Sequence, residues 1–118
     1  MVRPAVAVAA LAVVIAALAG PAAADGAKTF QLQCMTCHQA KSSPMGPGLA
    51  GVAGRKIASL TDFTYSPALK AKVGTWTDAQ LDSYLSGPAT FAPGSRMPVS
   101  LPAAADRAAV IAYLKTLK

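Results

Sequence analysis

The stretch Cys34-Met35-Thr36-Cys37-His38 constrains this chain more than any other. It contains both cysteines and the only histidine of the 118 residues. Every strong soft-metal or redox ligand except methionine therefore lies in it. Cys34 and Cys37 are spaced i, i+3, and His38 is i+4 from Cys34. On a helix these spacings put all three side chains on one face. Any redox or metal chemistry of the chain must use that face.

Four chemistries compete for such a face. A disulfide is the usual fate of two cysteines in an oxidising compartment, but a C-x-x-C pair closes too short a loop to stabilise much. A thiol–disulfide active site wants a βαβ setting, and no strand pattern flanks Cys34. A zinc site needs about four ligands, and two cysteines with one histidine fall short unless a carboxylate joins them. Covalent attachment of a c-type haem fits the spacing and the following histidine together. The two thiols form thioethers with the vinyl groups, and the imidazole ligates the iron from the proximal side. Met35 and Thr36 are then spacers.

The compartment follows from the first 24 residues. Arg3 gives a short positive start, Ala5 to Ala19 is apolar and uncharged, and Ala22-Ala23-Ala24 supplies an A-x-A site before Asp25. This is the pattern of a secretory signal peptide. The alternative is a retained membrane anchor, though a span needs about 20 apolar residues. The expected organisation is a signal peptide at 1–24, cleaved after Ala24, and one domain at 25–118. Losing Arg3 takes the net charge from +6 to +5, and two haem propionates would bring it to about +3. So small a domain buries a limited share of its surface, and a covalent cofactor would add to its core.

The remaining pattern is helical, with little period-2 alternation. A first helix is expected from Asp25 to about His38. Residues 41–54 are a Gly-, Pro- and Ser-rich loop. Ser66-Pro67 reads as an N-cap with proline at the first helical position, opening a short helix to about Lys72. Thr77-Asp78-Ala79-Gln80 is a capping box. It starts a helix with Leu81, Tyr84 and Leu85 on one face, stopped by Gly87-Pro88. Residues 87–102, with four prolines and two glycines, are expected to be irregular. A last helix runs from about Pro102 to Leu117, with Ala109, Val110, Tyr113, Leu114 and Leu117 as its apolar stripe. Loops this long in a small domain need something packed beneath them, and a bound cofactor supplies it.

No second histidine exists, so bis-His ligation is excluded, and a methionine is the candidate for the second axial ligand. Met1 leaves with the signal, Met35 is inside the attachment motif, and Met45 is only seven residues past His38. Met97 remains, between Pro93-Gly94-Ser95-Arg96 and Pro98. A lone methionine is often core filler, but a loop between prolines is an unusual place for filler. His38/Met97 ligation would raise the reduction potential and close the iron to small ligands. A ligating histidine usually donates its other N–H to an acceptor. The Pro47 carbonyl is the candidate, although Pro47 could simply stiffen a turn.

These residues resemble the small class I cytochromes c of the bacterial, mitochondrial-like type, over essentially all of residues 25–118. The matching segments are Gly26 and Phe30 before the C-x-x-C-H; Gly46-Pro47-Gly48-Leu49; Gly54-Arg55-Lys56; Phe63-Thr64-Tyr65-Ser66; Trp76; Leu81 to Leu85; Pro93 to Met97; and Ile111 to Lys115. The resemblance implies an all-α cytochrome c fold, helices and long loops wrapped around one covalent haem c. It implies Cys34 and Cys37 as attachment sites, His38 and Met97 as iron ligands, and Pro47 as the acceptor from His38. Propionate contacts fall on Arg55, Tyr65, Trp76 and Ser95, and Tyr84 lies near the axial methionine. Gly26 and Phe30 pair with Tyr113 of the last helix. By themselves, Trp76 would be a core aromatic, Arg55 a solvated charge and Tyr113 the wet edge of a stripe. A buried propionate, however, needs charge-assisted donors, and Arg, Tyr and Trp provide them. Leu69 and Val99 depart from the family pattern. So does Arg96, which cannot deprotonate usefully and leaves any alkaline displacement of Met97 to Lys70 or Lys72.

The implied activity is one-electron transfer between redox proteins in the periplasm, without transformation of a substrate. Lys41, Lys56, Lys70, Lys72 and Arg96 would steer docking onto acidic partners. The same charge is compatible with weak contact to anionic membrane. Export argues against nucleic acid, and a monomer is the expected state. The alternative is a haem enzyme subunit or gas sensor with an open distal site.

Overall fold

A run of alanines and mostly unbranched polar residues around Gly26 builds the first helix, α1 (Pro21–Gln33), in the computed structural model, which describes residues 2–5, 7, 9 and 21–118. The apolar run expected over 5–19 lies almost entirely outside the described residues. The described part of the helix already includes Pro21, four residues before Asp25, and Ala23 is 7% exposed. It also ends earlier than the spacing suggests. The Phe30 carbonyl accepts from both Cys34 and Met35 N–H, at 2.8 and 3.0 Å. This wide closure is a helix-ending motif. The cysteines and the histidine therefore sit in turns after α1 and not on the helix itself. His38 N–H still reaches the Cys34 carbonyl at 2.9 Å, so one α-like turn keeps the three side chains together.

Four further helices follow: α2 (Pro67–Lys70), α3 (Asp78–Ser86), α4 (Pro88–Phe91) and α5 (Ala104–Leu114). Both expected N-caps form. Ser66 accepts from Leu69 N–H and Thr77 from Gln80 N–H, which satisfies donors that a helix start leaves free. The irregular segment 87–102 contains α4, because Gly87-Pro88 ends one helix and also sets proline at the start of the next. The last helix is shorter than expected at both ends. Among the described residues, strand structure amounts to two isolated bridges, Ser43 with Gly46 and Lys56 with Thr75. No described helix is long and apolar enough to cross a membrane.

Helix α5 packs on α1 and on α3, and α3 on α4. The α1–α5 crossing depends on Gly26. A Cβ there would overlap the Ala109 carbonyl and come 3.0 Å from Tyr113 Cβ. One helical turn on, Phe30 packs its ring on Tyr113, centroids 5.1 Å apart. Ile111, outside the expected stripe, is buried with Ala109, Val110 and Leu114, because α5 is covered by two neighbours. The core thus lies between the terminal helices and α3, and the loops enclose its remaining side.

Candidate functional site

The loops and the core bound one cleft. Its walls include Phe30, Leu49, Val52, Leu69, Leu81, Leu85, Val110 and Leu114. Counted out to the mouth, the space is about 1170 Å³. That figure includes open solvent; the enclosed space is about 160 Å³, and its lining is mainly apolar. Every site residue expected from the sequence lines it: Cys34, Cys37, His38, Pro47, Arg55, Tyr65, Trp76, Tyr84, Ser95 and Met97.

The motif after α1 supplies two free thiols, Cys34 buried and Cys37 half-buried. Burial pushes the Cys34 thiol above its ordinary value, and the neighbouring Cys37 pushes the same way. A reactive dithiol needs the opposite shift, toward thiolate. A zinc cage is also unsupported, because no group of three or more His, Cys, Asp or Glu side chains is placed to hold a metal ion among the described residues.

His38 is held firmly. Its Nδ1 is 3.0 Å from the Pro47 carbonyl, so Nδ1 carries the proton and Nε2 is the nitrogen available for iron. Gly46 makes this possible, although the sequence reading gave it no role of its own. A Cβ at Gly46 would lie 2.6 Å from the Cys37 carbonyl and 3.2 Å from the imidazole. The signal for it was the Gly-Pro-Gly run, where two glycines flank the acceptor.

Met97 is half-buried and packs against the core, whereas Met35 and Met45 are 52% and 65% exposed. Met45 also reaches the cleft lining. Met97 belongs to a strap, residues 93–102, that leaves α4 and returns to α5. Tyr84 Oη and Ser95 Oγ hydrogen-bond at 2.9 Å. Tyr84 also packs on Trp76 and Phe91. Burial pushes the Tyr84 phenol up, partly offset by the Ser95 hydrogen bond.

Arg55 donates to the carbonyls of Gly48 and Ala50 at 2.9 and 3.2 Å. Its Nε is buried without a partner among the described residues. A buried unpaired guanidinium N–H is costly, and a carboxylate of a bound group in the cleft would satisfy it. Tyr65 accepts from Leu60 N–H at 3.3 Å and keeps its own O–H free to donate. Two thiols, an imidazole with one nitrogen tied, a thioether, apolar walls and an orphaned cation donor together suit a covalent haem with buried propionates. They suit none of the alternatives as well.

The basic residues divide. Arg96 lines the cleft, whereas Lys41, Lys56 and Lys70, which are exposed, and Lys72, which is half-buried, are outside its lining. Lys70 Nζ donates to the carbonyl of Ala58, a residue with positive φ. Lys72 Nζ lies over the Phe91 ring, 4.6 Å from its centroid. Arg107 received no role from the sequence, yet it anchors the far end of the strap. Nothing in its spacing signals that, because its acceptors are a distant aspartate and two backbone carbonyls.

Residues 23–118 match the family model described as Cytochrome c. The chain is 48% identical over 94 residues to the cytochrome c-type cyt cy of Rhodobacter capsulatus, covering 78% of this chain and 47% of that protein. It is 44% identical over 91 residues to cytochrome c2 iso-1 of Magnetospirillum molischianum, covering 73% and 91%. It therefore spans about half the length of the first relative and most of the second. Among solved structures, cytochrome cH from Methylobacterium extorquens superposes with a TM-score of 0.74 at 35% identity, over 80% of this chain and 97% of that one.

Proposed function

This chain belongs to the cytochrome c family, whose members carry one covalent haem c, and from that premise we propose that it is a one-electron carrier of the periplasm and not an enzyme. Cys34 and Cys37 would attach the haem, and His38 and Met97 would ligate its iron. When bound, the haem supplies a single centre that alternates between ferrous and ferric. The chain's own residues keep that alternation simple. Pro47 orients His38, and the apolar walls exclude water. Arg55, with Tyr65, Trp76 and Ser95, would pair the propionates.

The observation that carries this reading is the gathering of Cys34, Cys37, His38 and Met97 around one apolar cleft, with Nδ1 of His38 already committed to a carbonyl. His38 and Met97 would together hold the iron, which would shut out small ligands and favour electron transfer over oxygen chemistry. An exposed set of lysines supports acidic redox partners, with association slowing as salt rises. We also place the mature start at Asp25, on the strength of the A-x-A pattern. The intact mass of exported protein tests that.

Carbon monoxide tests the closed site. The reduced protein should bind it weakly without denaturant, and Met97→Ala should bind it about 100-fold more tightly, as expected when the competent state ceases to be a minor one. Tight binding by the unaltered protein would instead support the gas sensor or enzyme subunit. Alkaline pyridine haemochrome spectra check covalent attachment, which Cys34→Ser with Cys37→Ser should abolish.

A further inference from the structure

We infer that Arg107 is a positioning residue for Met97, acting through its hold on the far end of the strap; this rests on Met97 being the distal ligand. Two arginines hold the strap, Arg96 from within it and Arg107 from beyond it, and they hold it differently. Arg96 is exposed and donates to the Thr64 and Tyr65 carbonyls at 3.3 and 3.5 Å. Arg107 has a side chain only 14% exposed. Its Nε meets Asp82 Oδ1 at 2.7 Å, and Nη1 donates to the Leu101 and Pro102 carbonyls, both at 2.9 Å. One guanidinium thus joins α5, α3 and the strap. Its rigid fork can serve these acceptors together, which the single ammonium of a lysine cannot match.

The strap needs such an anchor. Residues 97–100 make no backbone–backbone hydrogen bond among the described residues. The position of the Met97 sulfur is therefore set by where the strap is tied down. Upstream, Ser95 N–H donates to the Ala92 carbonyl at 2.8 Å, and Ser95 Oγ meets Tyr84. Downstream, Leu101 N–H donates to the Leu85 carbonyl at 2.7 Å, and Arg107 takes the carbonyls of Leu101 and Pro102. Without Arg107 the downstream end keeps Leu101 but loses its link to Asp82. The fold survives, and the end of the strap gains freedom that Met97 shares.

The test uses purified holoprotein, unaltered and as Arg107→Lys, Arg107→Ala and Asp82→Asn, with Thr77→Ala as a control. Thr77→Ala removes the α3 N-cap and leaves the strap alone. Three signals are read: the Met-to-iron absorption band of the ferric protein, the reduction potential, and the affinity of the ferric protein for added imidazole. Both Arg107 variants should lose part of the band, shift to lower potential and bind imidazole about tenfold more tightly. Asp82→Asn should show a smaller change of the same sign, and Thr77→Ala none. Arg107 variants that melt earlier but keep the full band and the original imidazole affinity would overturn the inference and leave Arg107 a structural residue. A missing band in the unaltered protein, or its persistence in Met97→Ala, would overturn the ligand assignment itself. Should Arg107→Ala fail to fold, Arg107→Lys and Asp82→Asn carry the same comparison.

Discussion

The His38 region is held by contacts within one short run of chain, whereas the Met97 region is held by residues drawn from across the sequence. His38 takes the carbonyl of Pro47, nine residues on, and its ring lies against Gly46. The Met97 strap is tied instead to Tyr84, Leu85, Thr64 and Tyr65, and through Arg107 to Asp82. Local ties persist while neighbouring backbone holds its turns. Distant ties last only as long as the helices they join stay packed. On the proposed ligation, His38 should therefore be the robust contact and Met97 the one that opens first under stress. Local opening of this kind costs less than global unfolding.

Leu101→Ala should produce the largest effect. Leu101 is 2% exposed and anchors the strap, and a fully buried leucine cut to alanine costs about 3 kcal/mol or more. Denaturant unfolding should register that cost. The Met-to-iron band should fade at lower denaturant than the signal for the terminal helices, so the two transitions separate. Coincident transitions would break the contrast between the two regions. Gly46→Ala comes next, at about 2 kcal/mol, within the range for overpacking. Its Cβ would press on the Cys37 carbonyl and the imidazole. It should lower the yield of haemochrome-positive protein while leaving the Met-to-iron band intact in the molecules that do mature.

The same contrast decides what could be read from the chain alone. Ser66 and Thr77 were legible as caps because a cap is a relation between residues three apart. Cys34, Cys37, His38 and Pro47 were legible for the same reason: their chemistry is written in spacing. Met97 could be reached by elimination and by resemblance, but its restraints could not. Arg107 meets Asp82 across 25 residues and takes two carbonyls that carry no sequence signature. The misses come from backbone hydrogen bonds and neighbouring helices that a side-chain pattern does not encode. The first helix ends at Gln33 because one carbonyl captures two N–H groups. Gly87-Pro88 reads as a stop, yet it starts α4 once Thr90 and Phe91 N–H find the Gly87 carbonyl. Ile111 is buried because α5 meets α3 as well as α1.

Tyr84 gives the smallest expected effect and links the two regions, since it packs on Trp76 and bonds the strap at Ser95. Tyr84→Phe removes one partly buried hydrogen bond, which costs about 1 kcal/mol at neutral pH. The cost should depend on pH in a defined direction. The folded phenol is raised from its ordinary value of 10.0, because burial disfavours the phenolate. Below that value the unfolded and folded states are both neutral, and the full contribution of Tyr84 is present. Above it the unfolded chain releases the proton first, so stability falls as pH rises through the folded value. Phenylalanine has no proton to lose. The advantage of the unaltered protein over Tyr84→Phe should therefore be constant up to about pH 10 and shrink beyond it. Urea unfolding of both proteins across that range measures the difference directly, and lysine titration, common to both, cancels. A difference that stayed flat above pH 10 would mean that Tyr84 is no more buried in solution than an ordinary surface tyrosine, and that the strap is already loose at Ser95.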